Sequence, residues 1–306
     1  MALRDLMNNY FYGKQGKADF TLADLPQNRR QLFATVLKVR WSQMVGVNLL
    51  YLVIWIPAIL WTMMNMSILF NLAEDARSGA PGIIMTWLLI LWPCIAITGP
   101  FNAGVSYIMR NWSRDQHSFI LSDFKDAIKE NWKQALAVSV IDGAMPMLVY
   151  VSVYFYSSQM QNGFLFVVPM ALSLLIGLLW AMAQMLMFPM MVTYELKLKD
   201  IIRNALLLTV GKLPWAVLFK LITLIVPALV LGIWALAPGA ALYVLMAVSI
   251  LYIAFMLAFN KLVTAAYANW LFETLLNPRI EGAPTNIGLR PENWDDTEYR
   301  PEDDEE

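Results

Sequence analysis

The chain reads as an all-α integral membrane protein of six transmembrane helices, arranged as three repeated units of an amphipathic interfacial helix plus a transmembrane hairpin, with both termini cytoplasmic. Three observations predict this. Apolar residues make up 59% of the 306 and charged residues only 15%, outside the usual soluble range. The apolar excess is gathered into runs near the roughly 20 residues that cross a bilayer core of about 30 Å. Six such runs are found, 45–70, 82–109, 135–156, 164–192, 213–236 and 240–270, more than a soluble core could bury. Finally, basic residues fall on one side of these runs. Seven of the 22 Lys and Arg precede the first, and five (Arg110, Arg114, Lys125, Lys129, Lys133) lie between the second and third. Four more (Lys197, Lys199, Arg203, Lys212) lie between the fourth and fifth, whereas the opposite loops hold Arg77. By the positive-inside rule the basic side is cytoplasmic, as expected in the plasma membrane.

The elements follow in order. Residues 1–25 are polar with an aromatic cluster, Tyr10, Phe11 and Tyr12, expected at the inner membrane surface; they have no continuous apolar core and are not expected to act as a signal peptide. From Pro26 to Trp41 the pattern PQNRRQLFATVLKVRW predicts a basic amphipathic helix, with Pro26 in its first turn and Leu32, Phe33, Val36 and Leu37 on one face. Span one follows, and span two ends in TGPFNAGVSYIMRNW, where Pro100 predicts a kink. Ser122 is the expected N-cap of a second amphipathic helix, with Asp123 in its first turn and no turn signal before span three. A third amphipathic stretch, LKLKDIIRNALLLTVGKLPW, precedes span five. Odd-numbered spans each hold a proline (Pro57, Pro146, Pro227), and even-numbered spans end in similar phrases, Val105-Ser-Tyr, Val192-Thr-Tyr and Val263-Thr-Ala-Ala-Tyr. Three agreements in order and spacing predict a repeat with units near 26–110, 118–193 and 197–276. The membrane domain is thus expected over 26–276. Residues 277–306 hold ten acids against three arginines and are expected to form a disordered acidic cytoplasmic tail.

Charged groups inside a membrane are costly, so their partners and purpose are the first question. Asp142, Lys220 and Lys261 lie within spans three, five and six, each roughly 10–14 Å from the cytoplasmic end at about 1.5 Å rise per residue. Asn48 and Asn102 fall at similar depth, which predicts a polar layer in the cytoplasmic half of the bundle. One reading is structural, an ion pair of Asp142 with Lys220 or Lys261 and asparagines bonded across helices, with a lysine free to snorkel outward. The other is a site for a polar solute or a proton in a cavity open to the cytoplasm. His117 in a connector and Cys94 in span two, the single residues of their kinds, make no metal set, and no nucleotide, hydrolase or metalloprotease motif appears. No catalytic, cofactor-binding or metal-ligating residues are therefore expected, and the basic clusters serve the bilayer rather than nucleic acid.

At GPFNAGVSYIMRNW followed by FKDAIKENW, and again at FPMMVTYELKLKDIIRNALLL, the chain resembles the YesL-like family of bacterial integral membrane proteins, a family of unknown function. The resemblance spans roughly 32–270 and rests on Gly99, Pro100, Arg110, Trp112, Phe124, Asn131 and Trp132, then Lys199, Asp200 and Asn204. It implies an accessory role beside carbohydrate ABC importers, whose permease subunits are the implied partners, and it brings no site residues with it. Two functions are thus expected to compete: a non-enzymatic accessory or scaffold protein, and a small-solute transporter or channel using the polar layer.

Overall fold

The structure, a computed structural model, describes residues 25–236 and 241–291. The Tyr10, Phe11 and Tyr12 cluster and the tail from 292 on lie outside them. Among the described residues all regular structure is helical, and six helices are long and apolar enough to cross a membrane: Trp41–Leu69, Glu74–Ile97, Ile120–Asn162, Phe164–Met191, Leu213–Val230 and Met246–Arg279. The protein is a multi-pass helical membrane protein.

Helix α1 (Arg29–Val39) starts later than expected, because Asn28 caps it by accepting the Gln31 N–H at 3.0 Å, while Gln31 Oε1 accepts the Gln27 N–H at 2.9 Å. This reciprocal cap outcompetes a start at Pro26, which sits before the helix. Arg40 separates α1 from α2 (Trp41–Phe70). Helix α3 (Ala80–Ile97) does not run on through Pro100 as one kinked span. It stops at Thr98, whose N–H turns back to the Ile95 carbonyl at 3.0 Å, and a separate helix α4 (Gly99–Trp112) begins with proline in its first turn. Most of α4 is buried, so it is an inner helix rather than the lipid-facing end of a span.

Helix α5 (Ile120–Gln159) carries the second amphipathic stretch and span three as one 40-residue rod. Its start is fixed by Asp123, not by Ser122. The Asp123 carboxylate accepts the Ser118 hydroxyl at 2.6 Å and the Phe119 N–H at 2.9 Å, tying the incoming connector to the first turn. Gly99 lets the start of α4 lie directly against the Ala135 carbonyl, and Gly143 does the same for α3, since a Cβ there would sit 2.7 Å from the Trp92 backbone carbonyl. Helix α6 (Val167–Met191) returns the chain to the basic end, α7 (Leu198–Gly211) is the third amphipathic helix, and Lys212 separates it from α8 (Leu213–Leu236). Helix α9 (Ala241–Leu251) leads through a π turn, Tyr252–Met256, into α10 (Leu257–Leu275).

The core gathers at the basic end in two clusters. One joins Met182 to Val192 of α6 and its exit with Ile201 and Ala205 of α7 and Tyr267 to Phe272 of α10. The other joins Leu32 and Val36 of α1 with Tyr51, Trp112, Phe124 and Leu262. Toward the opposite end apolar side chains such as Phe164 and Leu165 face outward, as contact with lipid requires.

Disorder beginning at Asn277, expected from the change in composition, does not describe residues 277–291. They fold back over the basic end: Arg290 N–H bonds the Pro26 carbonyl at 2.9 Å, Asn277 Nδ2 bonds the Pro284 carbonyl at 2.7 Å, and Leu289 packs against the cluster that holds Leu32. Gly288, at φ +77°, crosses against the Arg114 carbonyl where a Cβ would not fit. Window composition misses this because the anchoring contacts come from a few isolated residues.

Candidate intramembrane polar site

Asp142 lies on α5 beside Gly143, where α3 and α5 meet most closely. Across from it, Trp180 and Gln184 are one helical turn apart on α6 and so share a face. The Trp180 indole Nε1 donates to Asp142 Oδ1 at 2.8 Å, and Gln184 Nε2 donates to Oδ2 at 3.2 Å. The ion pair expected in the structural reading is not formed. Among the described residues neither lysine approaches Asp142 within 4.0 Å, and the four ion pairs present lie elsewhere. The physical reason is placement: Lys220 and Lys261 stand on α8 and α10, beyond ion-pair reach, while neutral donors on the adjacent helix hold the carboxylate.

Lys220 of α8 and Lys261 of α10 nevertheless face the same space. With Asp142 and Asn102 they line a cavity of about 260 Å³, joined by Tyr51 and Asn260. The Lys261 ammonium stands 5.6 Å from the Tyr51 ring centre and 5.4 Å from that of Phe188, a cation–π arrangement. Asn102 is engaged on both sides: its Oδ1 accepts the Tyr51 hydroxyl, and its Nδ2 donates to Thr98 Oγ1 at 3.2 Å. Asn260 contrasts with it, since its buried Oδ1 has no hydrogen-bond partner.

Asn48, the fifth residue of the expected polar layer, does not line the cavity. Fully buried, it donates through Nδ2 to the carbonyls of Tyr252 at 2.9 Å and Ile253 at 2.7 Å, and accepts the Ala258 N–H at 2.9 Å through Oδ1. A π turn disturbs the regular helical ladder, and Asn48 satisfies the backbone groups this releases. Asn260, Lys261 and Thr264 follow within the next turns and line the cavity, so Asn48 holds the element that presents them.

Four of the five expected residues thus meet at one cavity. The important neighbours not singled out from sequence are Trp180, Gln184, Tyr51 and Asn260. Gln184 and Asn260, polar residues inside otherwise apolar runs, were the visible signals.

A second polar cluster occupies the basic end, outside the spans apart from Glu273 and Asn277. Arg29 pairs with buried Glu273, which also accepts the Asn286 N–H at 2.7 Å. Arg110 stacks 4.4 Å from the Tyr107 ring centre, bonds the Val192 carbonyl, and reaches Asn111 Oδ1 at 2.7 Å. Burial pulls the Arg110 guanidinium below the ordinary arginine value; burial and the neighbouring Arg110 charge do the same to Arg114, opposed by Glu273. Tyr194, whose hydroxyl donates to Asn277 Oδ1 at 2.5 Å, is pushed up to about 12 by burial. His117 is exposed and lies against Phe119, and among the described residues no group of His, Cys, Asp and Glu is arranged to hold a metal.

Over residues 44–153 the chain matches a family described as "Protein of unknown function, DUF624". It is 31% identical over 146 residues to the "Uncharacterized protein YesV" of Bacillus subtilis (strain 168), an alignment covering 45% of this chain and 69% of that protein. No solved structure matches it.

Proposed function

We propose, on the premise that this chain belongs to the DUF624 or YesL-like family of membrane proteins of unknown function, that it is a non-enzymatic protein that binds a small polar solute within the membrane, as a transporter or channel does. One observation carries this reading: Asp142, Lys220 and Lys261, from three different helices, face a common cavity without forming ion pairs with one another. Such charges are costly at membrane depth, and a bound solute offsets that cost where a salt bridge does not. The cavity lies among helices that carry internal prolines, Pro57 in α2, Pro146 in α5 and Pro227 in α8, in keeping with the interrupted helices of transporters. The charge distribution supports a plasma-membrane orientation with both termini cytoplasmic, and the recurring order of amphipathic helix and hairpin supports three related units. Purified protein in proteoliposomes should drive flux of a small polar solute, and Lys261→Met should abolish it. Absence of both flux and solute-induced stabilisation across a panel of small polar solutes contradicts the reading.

An accessory role beside a carbohydrate ABC importer has separate support. A polar recess of about 430 Å³ at the basic end, bordered by Glu130, Asn131, Gln134 and Glu195, suits a docking segment of a permease subunit. Purification from native membranes in mild detergent should then bring down importer subunits in stoichiometric amount; their absence counts against this role.

A further inference from the structure

The charges around the cavity are unequal. Two ammonium groups, Lys220 and Lys261, border it against one carboxylate, Asp142, and that carboxylate already accepts a hydrogen bond on each oxygen from Trp180 and Gln184. With these groups ionised, one positive charge is left uncompensated in a space walled partly by Phe188 and Trp55, where low polarity strengthens its pull on an anion. The open hydrogen-bonding capacity has a different character. Asp142 keeps lone pairs beyond the two in use and so accepts from hydroxyl groups, whereas the partnerless Asn260 Oδ1 is buried and accepts one only after its side chain rotates. A cation would raise the uncompensated charge, and a neutral or zwitterionic solute would leave it unchanged. At about 260 Å³ the cavity falls just below the pockets that hold drug-sized ligands, roughly 300–1,000 Å³, so the occupant is small.

We propose that the cavity takes a small hydroxylated organic monoanion, its anionic group between Lys220 and Lys261 and a hydroxyl on Asp142. This rests on the solute-binding reading and names the chemical class of the solute. Free metabolites and the headgroup of phosphatidylglycerol share this chemistry.

The test uses four probes built on one acyclic six-carbon chain: gluconate (anionic), sorbitol (neutral), glucosaminate (zwitterionic) and glucamine (cationic). Binding is measured by calorimetry on the full chain in phosphatidylcholine nanodiscs. Charge-assisted hydrogen bonds are the stronger kind, so gluconate should bind at least about tenfold more tightly than sorbitol or glucosaminate, with glucamine weakest. Lys220→Met should remove that preference, and Lys220→Arg, which keeps the charge, should restore it. Equal or tighter binding of sorbitol, glucosaminate or glucamine overturns the anion assignment and leaves solute binding standing. Failure of all four to bind overturns this proposal, and the wider panel of small polar solutes decides the solute-binding reading separately. Repeating the titration in phosphatidylglycerol nanodiscs separates the sources: persistence of gluconate binding assigns the site to a free solute, and its loss assigns it to the lipid headgroup.

Discussion

Two clusters in this protein use the same kinds of residue and solve different problems. At the basic end Glu273 meets Arg29, takes the Asn286 N–H, and fastens the returning segment 277–291 beside α1. Within the membrane Asp142 has two lysines on the same cavity and contacts neither within 4.0 Å. The first cluster is closed by the Arg29–Glu273 pair, although Glu273 Oε1 and the Arg114 Nε and Nη2 groups have no hydrogen-bond partner. The second is open toward a cavity. Burial of charge therefore does not by itself separate a structural pair from a site; the identity of the groups that satisfy the charge does.

The largest expected effect lies in the closed cluster. Removing one partner of a buried pair costs about 3–5 kcal/mol, and since Arg29 keeps some exposure, Glu273→Ala should fall near the lower end, read as a lowered unfolding midpoint in detergent. Binding at the cavity should be little changed in that variant. A loss of solute binding as large as the loss of stability would erase the distinction between the clusters.

Asn48→Ala sharpens the comparison from the other side. It leaves two carbonyls and one N–H of the π-turn region without their partner, each unsatisfied group costing about 1–3 kcal/mol before water or local relaxation recovers part of it. A net loss of about 2 kcal/mol is expected, together with weakened solute binding because Asn260 and Lys261 follow the turn. Loss of stability with unchanged binding would show that the π turn does not aim those side chains.

A smaller effect belongs to Tyr194. Its folded-state value is raised to about 12, above the ordinary value of 10.0, so the native state holds this proton more tightly than the unfolded chain does. That contribution is full below pH 10 and is lost as the pH rises toward 12. Tyr194→Phe should remove this alkaline decline while costing about 1 kcal/mol at neutral pH for the lost bond to Asn277. An unchanged alkaline slope in equilibrium unfolding would contradict the assignment.

The transmembrane architecture was legible because the bilayer imposes length and polarity on every span, and six runs met both demands. Position along each span was legible too: Asp142, Lys220, Lys261 and Asn102, expected at one depth, line one cavity. The direction of each side chain around its helix axis was not. Asn48 shares the depth of the others but turns to the π region of the last membrane helix, and a π turn shifts the helical phase without a sequence mark. The neutral donors to Asp142 were missed because pairing charge with charge overlooks an indole and an amide one turn apart on α6. The break at Thr98 was hidden by continuous hydropathy, although Asn102, Ser106 and Arg110 recur every four residues, the mark of a polar stripe on an inner helix. The docking of 277–291 depends on Gly288, Leu289 and Arg290, too few residues to alter an acidic average.

The most direct test of the open cluster is a double-mutant cycle on stability between Asp142→Asn and Lys261→Met, measured by equilibrium unfolding without added solute. A cavity whose charges await a solute predicts only the weak coupling of charges that share a cavity without touching, about 1 kcal/mol or less. A coupling of about 2 kcal/mol or more, with the double variant regaining what either single variant loses, would establish a structural ion pair and contradict the account.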